Sequence, residues 1–325
     1  MMGHPRTRHA AVLGMLVLIS LISWRSWGRP LRLFEPIKPR PDIVDIRYGP
    51  HDRNVLDLWQ AKPKPGQPGP VPLVIFFHGG GFRNGDKSSI PARLVSKCLD
   101  AGISVASANY RLSQTAPFPA PMLDGARAIQ FIRFKANDLG IDPGRIGASG
   151  NSAGAGIALW VGFHDDLADP GSDDPIARRS SRVACLGVEG AQTSYDPRFI
   201  KETIGGRAHE HPALRWFYGI RSDAELDSPR THRLYEEASP LSYVSADDPP
   251  AILFYAEPNA PLPAGAKPGH GIHHPRFGAA LKSRLDPLGV ECILRHRADF
   301  PMQDDPNEDV FRDMTAFFAR QFHKG

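Results

Sequence analysis

The stretch that most restricts this chain is Arg145-Ile146-Gly147-Ala148-Ser149-Gly150-Asn151-Ser152-Ala153-Gly154-Ala155-Gly156. Arg145 to Ser149 suits a buried strand. The residues after Gly154 (Ala155-Gly156-Ile157-Ala158-Leu159-Trp160-Val161) are small and apolar, and suit a helix lying close on a sheet. Between them sits Gly-x-Ser-x-Gly, which in a strand–turn–helix setting places the serine at the tip of a sharp bend. The flanking glycines let the backbone through that bend without a Cβ clash, so Ser152 can take a strained conformation. The bend also sets Ser152 at a helix N-terminus, where open N–H groups favour developing negative charge. Five residues of this kind also occur in ordinary glycine-rich turns, so the motif needs support from elsewhere in the chain.

Support comes from Val74-Ile75-Phe76-Phe77-His78-Gly79-Gly80-Gly81-Phe82, an apolar strand running into three glycines. Such a loop offers backbone N–H groups unobstructed by side chains. With the N–H of the residue after the nucleophile, Ala153, the amides of Gly79, Gly80 and Gly81 can form an oxyanion hole. A phosphate-binding loop would need Gly-Lys-Ser/Thr ahead of its helix, and that is missing.

With both motifs in place, the chain resembles the α/β-hydrolases of the His-Gly-Gly-Gly esterase/lipase type, the hormone-sensitive-lipase and feruloyl/acetyl-xylan-esterase-like group. The likeness runs from about Val44 to Phe322 and includes Asn54 to Trp59, Gly85-Asp86-Lys87, Asn109-Tyr110-Arg111-Leu112, Asp124 and Ala238-Ser239-Pro240-Leu241. The resemblance implies a mostly parallel sheet with helices on both faces, a serine nucleophile and a small-molecule ester substrate. It implies no metal or organic cofactor, and it gives His78 a supporting role under the glycine loop.

A serine hydroxyl needs a base, nearly always histidine, and the histidine needs an orienting acid. In this family the acid follows the strand that ends here near Tyr255. Asn259 occupies its place and Glu257 lies two positions earlier. The family's base follows the last strand. Asp299 falls at that position and His296 lies three earlier. The expectation is therefore Ser152 with His296 as base and Glu257 as acid. The cluster Gly269-His270-Gly271-Ile272-His273-His274 is the alternative source of a base, but it precedes a helix, and a polar surface loop is the preferred reading there. An amide behind the histidine would be costly, so the competing expectation is a hydrolase-fold binding module with little or no turnover.

Composition fits one large globular domain. The net charge of +4 owes much to arginines and lysines in the first 40 residues, which argues against a nucleic-acid-binding face on the domain. Cys98, Cys185 and Cys292 are widely spaced among apolar neighbours and read as small core residues. Residues 1–28 combine a basic start with an uncharged apolar run, Ala10 to Ser23, and read as a signal peptide or a retained membrane anchor, implying export. Residues 29–42 read as a proline-rich tether and 43–323 as the hydrolase domain. Within it, 192–248 reads as an insertion able to cover the serine, and the aspartates of His164 to Arg182 as a solvated loop rather than a calcium site.

Overall fold

The computed structural model describes residues 37–63, 66, 69–263, 265–300 and 306–324. The segment read as a signal peptide or anchor, and most of the tether, lie outside the described residues. Among the described residues no helix is long and apolar enough to cross a membrane.

Eight strands form one sheet: β1 (Ile43–Arg47), β2 (Val55–Trp59), β3 (Val71–Phe77), β4 (Ser104–Ala108), β5 (Ile141–Asn151), β6 (Leu186–Glu189), β7 (Ala251–Tyr255) and β8 (Cys292–His296). Their order is β1-β2-β4-β3-β5-β6-β7-β8. β1 and β2 are antiparallel, and every pairing from β4 through β8 is parallel. The helices are α1 (Ala92–Asp100), α2 (Ala120–Phe134), α3 (Ala153–Phe163), α4 (Pro197–Thr203), α5 (Pro212–Tyr218), α6 (Pro229–Ala238), α7 (Arg276–Leu285) and α8 (Pro306–Phe322). This is the α/β-hydrolase arrangement.

Side chains alternate across a strand, so a strand covered on both faces must be apolar throughout. β3 obeys this. Leu73, Ile75 and Phe77 pack on one face with α2 and α3, through Met122, Ile129 and Ile157. Val74 and Phe76 pack on the other with α1 and α8, through Leu94, Val95 and Phe318. α3 is buried along its whole length, as a helix with no polar face must be. The three cysteines are free and buried. Asp166 and Asp169 accept backbone N–H groups of their own loop, and Asp174 accepts the Ile176 N–H and pairs with Arg127 of α2.

The segment 192–248 lies between β6 and β7 and carries α4, α5 and α6. Its aromatics Tyr195, Phe217, Tyr218 and Tyr235 are buried, while Trp216 is exposed. Phe217 stacks on Phe82 at 4.3 Å between centroids, and Tyr195 meets Phe82 edge-on at 5.6 Å. These contacts tie the segment to the loop after β3, beside the turn that ends β5.

Candidate active site

The bend between β5 and α3 brings its own backbone into unusually close quarters. Ser152 sits at φ 51°, ψ −120°, a left-handed conformation that a residue with a Cβ adopts only under constraint. The constraint is visible on both sides. A Cβ at Gly154 would lie 2.0 Å from the Phe77 carbonyl oxygen, and one at Gly150 would lie 2.4 Å from the Gly154 backbone. Ser152 is pinned further by its own N–H, which donates to the Glu189 carbonyl at the end of β6 (2.9 Å). Its hydroxyl makes no capping bond to α3, so Oγ is left for other use.

The loop after β3 folds over this bend. Arg83 N–H and Asn84 N–H both donate to the Gly80 carbonyl. Gly80 adopts φ 118°, where a Cβ would strike the Asn84 carbonyl oxygen at 2.2 Å. His78 holds the loop from beneath. It is fully buried, stacks on Tyr110 at 4.3 Å, and its Nδ1 bonds the Gly79 carbonyl (2.7 Å) while Nε2 accepts from Arg53 (3.1 Å). Burial holds its pKa down to about 4, so it is a neutral strut.

A cavity of about 330 Å³ opens where loop and bend meet. Ser152, Gly80, Gly81 and Ala153 line it, and its body is apolar, built from Phe82, Tyr195, Leu214, Phe217 and Phe277. Gly79 does not reach this cavity; its α-carbon instead packs against Ser152, where an added Cβ would lie 3.3 Å from the serine Cβ. A second cavity of about 260 Å³ lies on the other side of Ser152, lined by Glu189, Glu257, His273 and Arg297 among others.

The imidazole at Ser152 is that of His273, whose Nε2 stands 2.8 Å from Oγ. His273 comes from the loop between β7 and α7, the cluster read from sequence as polar surface. Burial lowers its pKa below the usual imidazole value, and the negative charge of Glu257 works against that shift to a lesser extent. Glu257 Oε1 accepts the His273 backbone N–H at 3.1 Å and lies 3.8 Å from Nδ1, an ion-pair distance rather than a hydrogen bond. Glu257 thus stands beside His273 and not, as expected, behind His296 acting as the base.

The expectation that His296 approaches Ser152 does not hold. His296 Nε2 bonds the Glu257 carbonyl oxygen (2.7 Å), and its Nδ1 accepts the Ala298 N–H in a capping box closed by Asp299. It braces the end of β7 instead. Asn259 is exposed in the same loop region. His274 is a satisfied core histidine, its Nε2 on the Ala260 carbonyl and its Nδ1 on the Arg276 N–H, and these bonds anchor the loop that carries His273. The chain order serine, acid, histidine is kept by both His273 and His296. What separates them is the path of one loop, which folds back over β6 so that Gly190 lies against the His273 ring.

A family model described as BD-FAE matches residues 56–264, well over half of the chain. The chain belongs to the BD-FAE family. Among curated relatives, this BD-FAE chain is similar to the esterase LipQ of Mycobacterium tuberculosis, with 30% identity over 68% of this chain and 49% of LipQ. It is also similar to the probable carboxylic ester hydrolase LipM of the same organism, with 26% identity over 72% of this chain and 52% of LipM. The chain spans about half the length of these curated relatives. Among solved structures, the acetyl ester-xyloside bifunctional hydrolase of Caldicellulosiruptor lactoaceticus superposes with a TM-score of 0.63 at 25% identity, covering 89% of this chain and 98% of that one. A truncated carbohydrate esterase from gut microbiota superposes with a TM-score of 0.67 at 20% identity, covering 86% and 96%, and supports the fold alone. The family match ends at residue 264, so His273 lies beyond the part of the chain that the BD-FAE model covers.

Proposed function

We propose that this chain is a serine carboxylic ester hydrolase in which Ser152 is the nucleophile, His273 the general base and Glu257 the acid that orients it. Burial keeps His273 neutral near pH 7, ready to take a proton. Its Nε2 must be the unprotonated nitrogen to accept from Ser152 O–H, which places its own proton on Nδ1, on the Glu257 side. Attack of Oγ on the ester carbonyl carbon passes that hydroxyl proton to Nε2. The carbonyl oxygen becomes an oxyanion facing the N–H groups of Gly80, Gly81 and Ala153, at the N-terminus of α3. Collapse breaks the ester bond, the departing alkoxide takes the proton from Nε2, and an acyl–Ser152 remains. Water, deprotonated by the same nitrogen, then releases the acid.

The two cavities divide the substrate. The leaving oxygen has to meet His273, and His273 lines the second cavity but not the first. The alcohol therefore belongs to the second, polar cavity and the acyl chain to the first, apolar one. A volume of about 330 Å³ suits a short to medium acyl group.

The single observation that carries this reading is the 2.8 Å approach of His273 Nε2 to Ser152 Oγ. Treatment with a small organophosphonate, followed by intact mass and peptide mapping, tests it. One adduct on Ser152, absent from Ser152→Ala, is the expected result. No adduct would reject the hydrolase reading and leave a binding module on the same scaffold.

A further inference from the structure

The acyl-side cavity has an electrostatic character that a plain alkyl ester does not use. Among the described residues no aspartate or glutamate lines it, while Arg83, Asn84 and His211 do, next to the open amides of Gly80 and Gly81. Arg83 lies two residues after Gly81. Its guanidinium lies over the Trp216 ring at 5.3 Å, and its Nε is buried without a hydrogen-bond partner. No carboxylate pairs with Arg83 among the described residues; its backbone carbonyl, not its side chain, is what Gln114 bonds. A buried guanidinium nitrogen left without an acceptor is costly unless something else completes it.

His211 adds a second donor. Its Nδ1 accepts the Ala213 N–H at the start of α5 (3.3 Å), so a neutral ring carries its proton on Nε2. Burial, followed by the proximity of His273 and of the Arg83 guanidinium, holds it below the usual imidazole range. The wall beside the oxyanion loop therefore presents a guanidinium and an N–H donor and no acceptor carboxylate. A carboxylate answers that donor set, with the guanidinium as its main partner.

We infer that Arg83, assisted by His211, is a specificity residue that selects acyl chains carrying a carboxylate, so that the preferred substrates are half-esters of dicarboxylic acids. This rests on the acyl-enzyme reading given above. The apolar body of the cavity takes the methylene chain, the ester carbonyl reaches Ser152, and the free carboxylate lies against Arg83. The half-ester is cleaved to a free dicarboxylate and an alcohol, with water as the only co-reactant.

The test uses monoethyl glutarate and its near-isosteric neutral amide, ethyl glutaramate, followed by pH-stat. The wild-type chain should favour the acid in kcat/KM by at least about tenfold, the usual scale for a charge-assisted hydrogen bond. Arg83→Gln should bring that ratio to about one, and Arg83→Lys should restore part of it. A wild-type ratio of one or less, or a ratio unmoved by Arg83→Gln, would overturn the inference. Calorimetric binding of monoethyl glutarate to Ser152→Ala provides a reading that does not depend on turnover. Affinity should fall about tenfold or more in Ser152→Ala/Arg83→Gln, and equal affinity in the two variants counts against the site. If the binding difference appears while no ester is cleaved and no phosphonate adduct forms, the anion site stands and the hydrolase reading falls.

Discussion

His273 works between two opposed influences, and their balance sets the pH at which the chain can act. Desolvation disfavours the imidazolium, while the Glu257 carboxylate favours it more weakly, so the pKa settles below the ordinary 6.5. The neutral form is the base, so a lowered pKa makes the base available at lower pH. For a short neutral ester, kcat/KM should climb with pH through a midpoint below 6.5 and be level by about pH 7.5. Glu257→Gln removes the raising charge. It should move the midpoint lower still and slow the reaction by roughly a hundredfold or more. A pH–rate profile for each protein checks this, and a midpoint at or above 7 in the wild type would contradict it.

The elbow depends on the close seating of α3 against the ends of β3 and β5. That seating explains why its glycines were readable in the sequence: only glycine lets two backbones come within contact distance. Gly154→Ala would put a methyl 2.0 Å from the Phe77 carbonyl, and the helix would have to shift to admit it. The expected loss is ~3 kcal/mol in urea unfolding, together with near-total loss of turnover. A loss under about 1 kcal/mol would mean the bend is more forgiving than its geometry indicates. The strands were legible for a related reason. Runs such as Leu73 to Phe77 and Ala251 to Tyr255 are apolar throughout because both faces are covered. The base was not legible. Its position depends on how the loop from Ala256 to Pro275 folds back on β6, anchored by His274, and neither spacing nor hydropathy encodes that path. Family position pointed to the turn after β8, where His296 instead caps and braces.

At the scale of the whole molecule, two buried groups tie stability to pH in opposite senses. Burial holds His78 down to about 4, so the unfolded chain binds a proton there more readily below 6.5, and stability is lost as pH falls from about 6.5 to 4. Burial pushes Glu189 up to about 7, so the native state keeps a proton that the unfolded chain gives up above about 4.5, and stability is lost as pH rises towards 7. Glu189→Gln removes the second dependence only. Relative to the wild type, this variant should gain ~2 kcal/mol between pH 5 and pH 8, read from paired denaturant titrations. A difference that does not change with pH would show that Glu189 ionises normally. The two strands that meet at the elbow thus carry a structural cost of holding a carboxyl beside Ser152, on the same side as the proposed alcohol cavity.

The most direct measurement of the catalytic account is hydrolysis of 4-nitrophenyl acetate by His273→Ala and His296→Ala side by side, each shown to be folded. Loss of the base should lower kcat about a thousandfold or more in His273→Ala. His296→Ala, which loses a brace on the Glu257 carbonyl and the cap on the Ala298 N–H but no contact with Ser152, should stay within about tenfold of wild type. The reverse ranking, or full activity in His273→Ala, would contradict the assignment of His273 as the base on Ser152.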